Sequence, residues 1–93
     1  MNFDLFVCTV YKGKSDWDCT KIQQRFFLNV KCAVNFGGKC VKKYYDTPFV
    51  KFAIKGVRIV ENDVTEILTY NTSGECEIKN PATFQMLKNA LAG

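Results

Sequence analysis

Between Arg25 and Phe36 the chain alternates with a period of two: Phe26, Leu28, Val30, Cys32, Val34 and Phe36 interleave with Arg25, Phe27, Asn29, Lys31, Ala33 and Asn35. Successive side chains of a strand point to opposite faces, so a run of this length predicts a long half-buried strand. Gly37-Gly38 follows, and paired glycines supply the positive φ angles that a tight hairpin turn needs. Lys39 to Tyr45 then reads as the returning strand, ended by Asp46-Thr47-Pro48. With a two-residue turn, Asn35 opposes Cys40, Ala33 opposes Lys42 and Lys31 opposes Tyr44 on the outward face. Val34 meets Val41, Cys32 meets Lys43 and Val30 meets Tyr45 on the inward one. Cys32 and Cys40 leave opposite faces in this register and cannot be bridged by a disulfide.

The other segments fit the same picture. Phe3 to Tyr11 is apolar on both faces, which predicts a central strand. Lys12 to Lys21 is polar and reads as a loop, with Trp17 as its anchor or as an exposed contact. Phe49 to Lys55 alternates again, Gly56 suggests a bulge or bend, and Val57 to Val60 continues the strand. Glu61-Asn62-Asp63 is a turn, Val64 to Tyr70 a strand, Asn71 to Gly74 a turn, and Glu75 to Ile78 a short last strand. Near the carboxyl end Asn80 can cap a helix and Pro81 suits its first position. Phe84, Leu87 and Leu91 share one helical face, so residues 81–92 are expected to form a helix on the sheet.

These 93 residues are expected to form one domain spanning residues 1–93, a β-meander over about 3–78 followed by that helix. Apolar residues at 47% and aromatic residues at 14% supply a core, which excludes disorder. The predicted fold class is α+β and β-dominated: an antiparallel, strongly curved sheet or small barrel of five or six strands with one C-terminal α-helix. In shape it is compatible with oligonucleotide-binding barrels and with pleckstrin-like sheets, and shape alone transfers no function.

Cysteine usage bears on compartment. The amino terminus lacks a signal-peptide pattern, and no apolar run approaches the ~18 residues of a membrane span. The five cysteines (Cys8, Cys19, Cys32, Cys40 and Cys76) are odd in number and form no Cys-x-x-Cys. They read as reduced thiols packed as small hydrophobes in a cytoplasmic protein without a membrane partner. The glycosylation sequon at Asn71-Thr72-Ser73 matters only in a secreted chain.

Charge is segregated. From Cys19 to Arg58 there are nine cations (Lys21, Arg25, Lys31, Lys39, Lys42, Lys43, Lys51, Lys55 and Arg58) against the single acid Asp46. From Ile59 to Lys79 the balance inverts, with Glu61, Asp63, Glu66, Glu75 and Glu77 facing only Lys79. Such asymmetry points to a partner selected by charge. The hairpin register gathers Arg25, Lys31, Lys42, Lys51 and Lys55 on one face with Phe27 and Tyr44 between them. Arg25, Lys31, Lys42, Tyr44, Lys51 and Lys55 are therefore the candidate partner-binding residues. Cations for phosphates and ring faces for bases are what single-strand binders use. An acidic protein surface is the second partner, and solubility with protection of sheet edges is the plainer explanation of the same lysines.

Catalytic patterns do not emerge. There is no histidine, which removes Ser-His and Cys-His pairs and most metal sites. A zinc site from Cys19, Cys32, Cys40 and Cys76 would have gaps of 12, 7 and 35 residues, without paired knuckles. Gly37-Gly38 lacks a Walker lysine, and Asp16, Asp18 and Asp46 do not follow a calcium-loop spacing. No catalytic, cofactor-binding or metal-binding residue is expected. In size, and in lacking tails, repeats or catalytic groups, the chain resembles accessory inhibitors encoded by phages and other mobile elements, some of which block bacterial defence complexes. That resemblance implies a non-enzymatic protein acting by occupying a macromolecular surface. A nucleic-acid-binding module and a structural protein that forms homodimers through its edge strands are the alternatives.

Overall fold

The computed structural model describes residues 3–44, 46–72 and 76–78. The helix expected over residues 81–92 lies outside them. Along the chain the elements are β1 (Leu5–Ser15), β2 (Asp18–Phe27), α1 (Val30–Lys43), β3 (Phe49–Arg58), β4 (Asp63–Asn71) and β5 (Cys76–Ile78). The fold is β-dominated α+β. Four long strands and the three-residue β5 make one antiparallel sheet in the order β2-β1-β3-β4-β5, with one described helix. Among the described residues the sheet is open, not closed into a barrel.

The largest departure from the sequence reading is at residues 25–45. No hairpin turns at Gly37-Gly38; residues 30–43 are helical. Val30, Ala33, Val34, Gly37, Gly38 and Val41 recur at three- and four-residue spacing, and all but half-buried Val30 are buried. That is a helical stripe, and the period-two pattern superposed on it was accidental: Cys32 is exposed. Asn29 caps the first turn, its Oδ1 accepting from the Cys32 amide at 2.9 Å, which satisfies one of the amides that a helix start leaves unpaired. Gly37 serves close packing. A Cβ there would lie 2.6 Å from Cδ2 of Phe52, a fully buried ring on β3.

Topology explains why a helix is needed. β1 is antiparallel to both β2 and β3 and lies between them, so β2 and β3 run parallel. Parallel strands require a crossover connection, usually helical, and α1 supplies it, packing over β1, β3 and β2. The two-sided apolar pattern of β1 thus belongs to a central strand, as its sequence suggests. The core between sheet and helix contains Cys8 and Val10 of β1, Val50, Phe52 and Ile54 of β3, Leu68 of β4, and Ala33, Val34 and Val41 of α1.

Residues 12–21 form no loop. β1 and β2 continue to a tight turn at Asp16-Trp17, with Gly13 opposite Cys19. The bulge expected at Gly56 is displaced: Ile54 pairs with Leu68 but Lys55 with Glu66, leaving Ile67 as the extra residue. The irregularity lets the neighbours Ile67 and Leu68 both be buried. Gly56 stays in register and makes room for Phe3, whose ring atoms would be 2.6 Å from an added Cβ. Residues 59–62 turn from β3 into β4, and Asn62 takes the left-handed conformation at φ 52°.

Candidate functional site

The six candidate residues do not share a surface. Because facing residues in adjacent strands lie on the same side of a sheet, the register assigns each strand residue to a face. Arg25 pairs with Cys8 and Cys8 with Ile54, which puts Arg25 on the helix side. Lys51 and Lys55, paired with Tyr11 and Val7, point to the opposite side. Lys31, Lys42 and Tyr44 belong to α1 and its C-cap. The single cationic sheet face deduced from the hairpin register is therefore corrected: that register does not exist.

Lys51 is already engaged. Its Nζ lies 3.0 Å from Asp16 Oδ1 and 5.0 Å from the centre of the Tyr11 ring. The hydrogen bond to Asp16 raises its pKa, opposed by partial burial. Lys55 is exposed, across from Val7 on one side and Glu66 on the other.

The structure assembles a different cationic side, made of β2 and α1. From Cys19 to Lys43 there are six cations and no acid. Arg25, Lys31, Lys39, Lys42 and Lys43 are all exposed on this side, and among the described residues none is in an ion pair. Exposed Lys21, paired with Tyr11, points to the opposite face with Lys51. Lys31 sits in the first turn of α1, which holds no acid, although the helix dipole favours negative charge there. Lys42 and Lys43 in the last turn suit the dipole.

β2 and α1 meet along a groove of about 320 Å³ lined by Arg25, Phe27, Cys32, Asn35, Phe36 and Lys39. Phe27 and Phe36 pack with ring centres 5.6 Å apart. The Arg25 guanidinium carbon stands 5.3 Å from the Phe36 ring centre and 5.9 Å from that of Phe27. Two aromatic rings thus fix the direction of an exposed arginine. Deeper in the seam the Cys40 thiol donates to Gln23 Oε1 at 3.4 Å. Burial pushes that thiol's pKa up, while nearby Lys43 and Arg25 pull it back part of the way. Beyond the other end of α1, Lys12 and Lys43 stand 4.8 and 5.4 Å from the centre of the Tyr44 ring.

Sequence reasoning missed Lys39, Asn35, Phe36 and Lys12 as companions of Arg25 and Tyr44. The apolar stripe of α1 would have revealed Asn35 and Lys39, since once it is helical Lys31, Asn35, Lys39 and Lys42 fall on one outward face. Among the described residues no three of His, Cys, Asp or Glu come together in a way that could hold a metal. No described helix is long and apolar enough to cross a membrane. Trp17 at the β1–β2 turn is 90% exposed, so it is not folded back onto the core.

No protein-family profile matches the chain, and neither a curated protein nor a solved structure is detectably similar to it.

Proposed function

We propose that this chain is a non-enzymatic binding protein whose β2–α1 side occupies an anionic macromolecular surface. The observation that carries this reading is the set of five exposed cations Arg25, Lys31, Lys39, Lys42 and Lys43, with no acid between Cys19 and Lys43 and, among the described residues, no ion pair to neutralise them. Unpaired cations on one side attract an oppositely charged partner over long range and speed its encounter. Lys31 strengthens the argument, because its place in the first helical turn works against helix stability. The absence of histidine supports the non-enzymatic half of the reading. An inhibitor that covers part of a host defence complex, encoded by a phage or other mobile element, is the form of this function suggested by the resemblance in size.

An acidic protein surface fits better than single-stranded nucleic acid. Base stacking needs open ring faces, and the rings beside the cationic side already carry cations: Arg25 over Phe27 and Phe36, Lys12 and Lys43 over Tyr44. The test compares labelled poly-L-glutamate with a random oligonucleotide, titrated against the protein at low and physiological salt. Replacing Lys31, Lys39 and Lys42 together by Glu should weaken polyglutamate binding at least tenfold. The control Lys14→Glu/Lys55→Glu, off this side, should change it little. Equal loss in both variants would refute the assignment, and much tighter binding of the oligonucleotide at physiological salt would transfer it to nucleic acid.

A further inference from the structure

We propose that the outer edge of β2 receives an added β-strand from a protein partner, an extended segment that alternates acidic and apolar residues. The proposal rests on the reading of the β2–α1 side as an anion-seeking surface and names the shape and chemistry of what binds there.

β2 is the last strand of the sheet on its side, and among the described residues only β1 pairs with it. Its outer edge therefore presents a row of backbone donors and acceptors, regular over residues 23–27 and interrupted at Ile22, which the register skips. Natural proteins commonly guard such edges by shortness, with proline or with bulges; β2 is long and free of proline, and its one irregularity at Ile22 leaves residues 23–27 regular. What it has is charge, in Lys21 and Arg25. Pairing with a second copy would bring these cations against those of the other β2, where one acid, Asp18 at the turn end of the strand, faces two cations. The same charges attract an acidic strand, so the edge is selective and not merely closed.

Side-chain alternation defines the pattern of the guest. On the helix side of β2 lie Gln23, Arg25 and Phe27, beside the groove that Asn35 and Lys39 also line. A strand laid along the edge would direct every second side chain toward that groove. A carboxylate there meets Lys39 and the guanidinium of Arg25, which two rings hold in place, and charge-assisted bonds to arginine are among the stronger ones. On the opposite side lies Phe26, 63% exposed, followed by Gln24, so the guest side chain beside Phe26 meets an apolar neighbour. Acid toward the helix beside Arg25 and apolar toward the open face beside Phe26 is a period-two pattern.

The test uses an acetylated, amidated heptapeptide alternating Val and Glu, titrated into the ¹⁵N-labelled full chain. Saturable shifts should centre on the amides of β2 and on Asn35 to Lys39, with slower hydrogen exchange at every second amide of β2. Arg25→Glu should weaken the peptide at least tenfold; Arg25→Gln, which removes charge without reversing it, should have a smaller effect. The same peptide N-methylated at alternate residues, which keeps its carboxylates but loses ladder donors, should bind at least tenfold more weakly. Equal affinity of the methylated peptide, shifts centred away from β2, or no binding would overturn the proposal. If the heptapeptide fails while polyglutamate still binds in a Lys31/Lys39/Lys42-dependent way, the added strand is wrong and the anionic-surface reading stands. If neither binds, both fall.

Discussion

Gly37→Ala probes the seating of α1 on the sheet. A helix interior normally gains roughly 0.8–1.0 kcal/mol when glycine becomes alanine, so on propensity alone the substitution stabilises. Here the new Cβ would lie 2.6, 2.7 and 2.9 Å from three atoms of the Phe52 ring, against the ~3.5–4.0 Å at which carbon atoms attract. Phe52 is fully buried and packs against Tyr70 at 5.7 Å between ring centres, so the ring has nowhere to swing. Overpacking of this kind costs ~1–3 kcal/mol. The clash outweighs propensity, and a net loss of about 1 kcal/mol is expected. Urea unfolding followed by far-UV circular dichroism suits the measurement, because Trp17 is too exposed to report on the core. With a slope near ~1 kcal/mol/M, the midpoint should fall by about 1 M. The decisive experiment is the cycle with Phe52→Leu. That change lowers stability by itself, but in its background Gly37→Ala should become neutral or stabilising, giving a coupling on the order of 1–3 kcal/mol. If alanine stabilises the native background by its full propensity, or acts identically in both backgrounds, the close approach of α1 to β3 through Gly37 is wrong.

Three further outcomes follow from the structure. Asn29→Ala should cost about 1 kcal/mol by removing the cap on the Cys32 amide, while Asn29→Asp should keep most of the stability, both read from urea midpoints. Burial, with a smaller contribution from Cys40, pushes the Cys8 thiol up to about 12; its folded pKa is raised, so the unfolded chain releases this proton first. Stability should therefore be complete below about pH 9 and decline as pH rises toward 12, and Cys8→Ala should flatten that slope in midpoint-against-pH measurements. In the native protein an alkylating reagent near neutral pH should label exposed Cys32 well before Cys8 or Cys40, as mass spectrometry of peptides would show; equal rates would contradict the burial of the latter pair.

Much of the sheet was legible because its strands carry their own patterns. β1 is apolar on both faces and proved central; β3 shows Val50, Phe52 and Ile54 at every second position and buries them. The helix was misread because two periods fit one segment. Val30, Cys32, Val34 and Phe36 match a strand, while Val30, Ala33, Val34, Gly37, Gly38 and Val41 match a helix. The glycines tipped the choice toward a turn, since a helical glycine has no local signature. Its reason is Phe52, fifteen residues away. The extent of the β1–β2 hairpin was hidden for a similar reason: its polar tip resembles a loop because much of it is exposed. The candidate site inherited the register error. Arg25 and Lys42 stayed with the cationic side, but Lys51 went to Asp16, and Lys39 was overlooked because a strand does not place it beside Arg25.

The insertion of β1 between β2 and β3 also orders events in the growing chain. One edge of β1 needs only its local hairpin partner β2. The other waits for distant sequence, with Gly13 meeting Phe49 and Leu5 meeting Val57, and long loops lose chain entropy before their contacts return it. In the interval Cys8 and Val10 lack a neighbouring strand on one side. The segment synthesised in that interval is α1, which packs over β1. The order of synthesis therefore provides a cover for the central strand before its last neighbour exists.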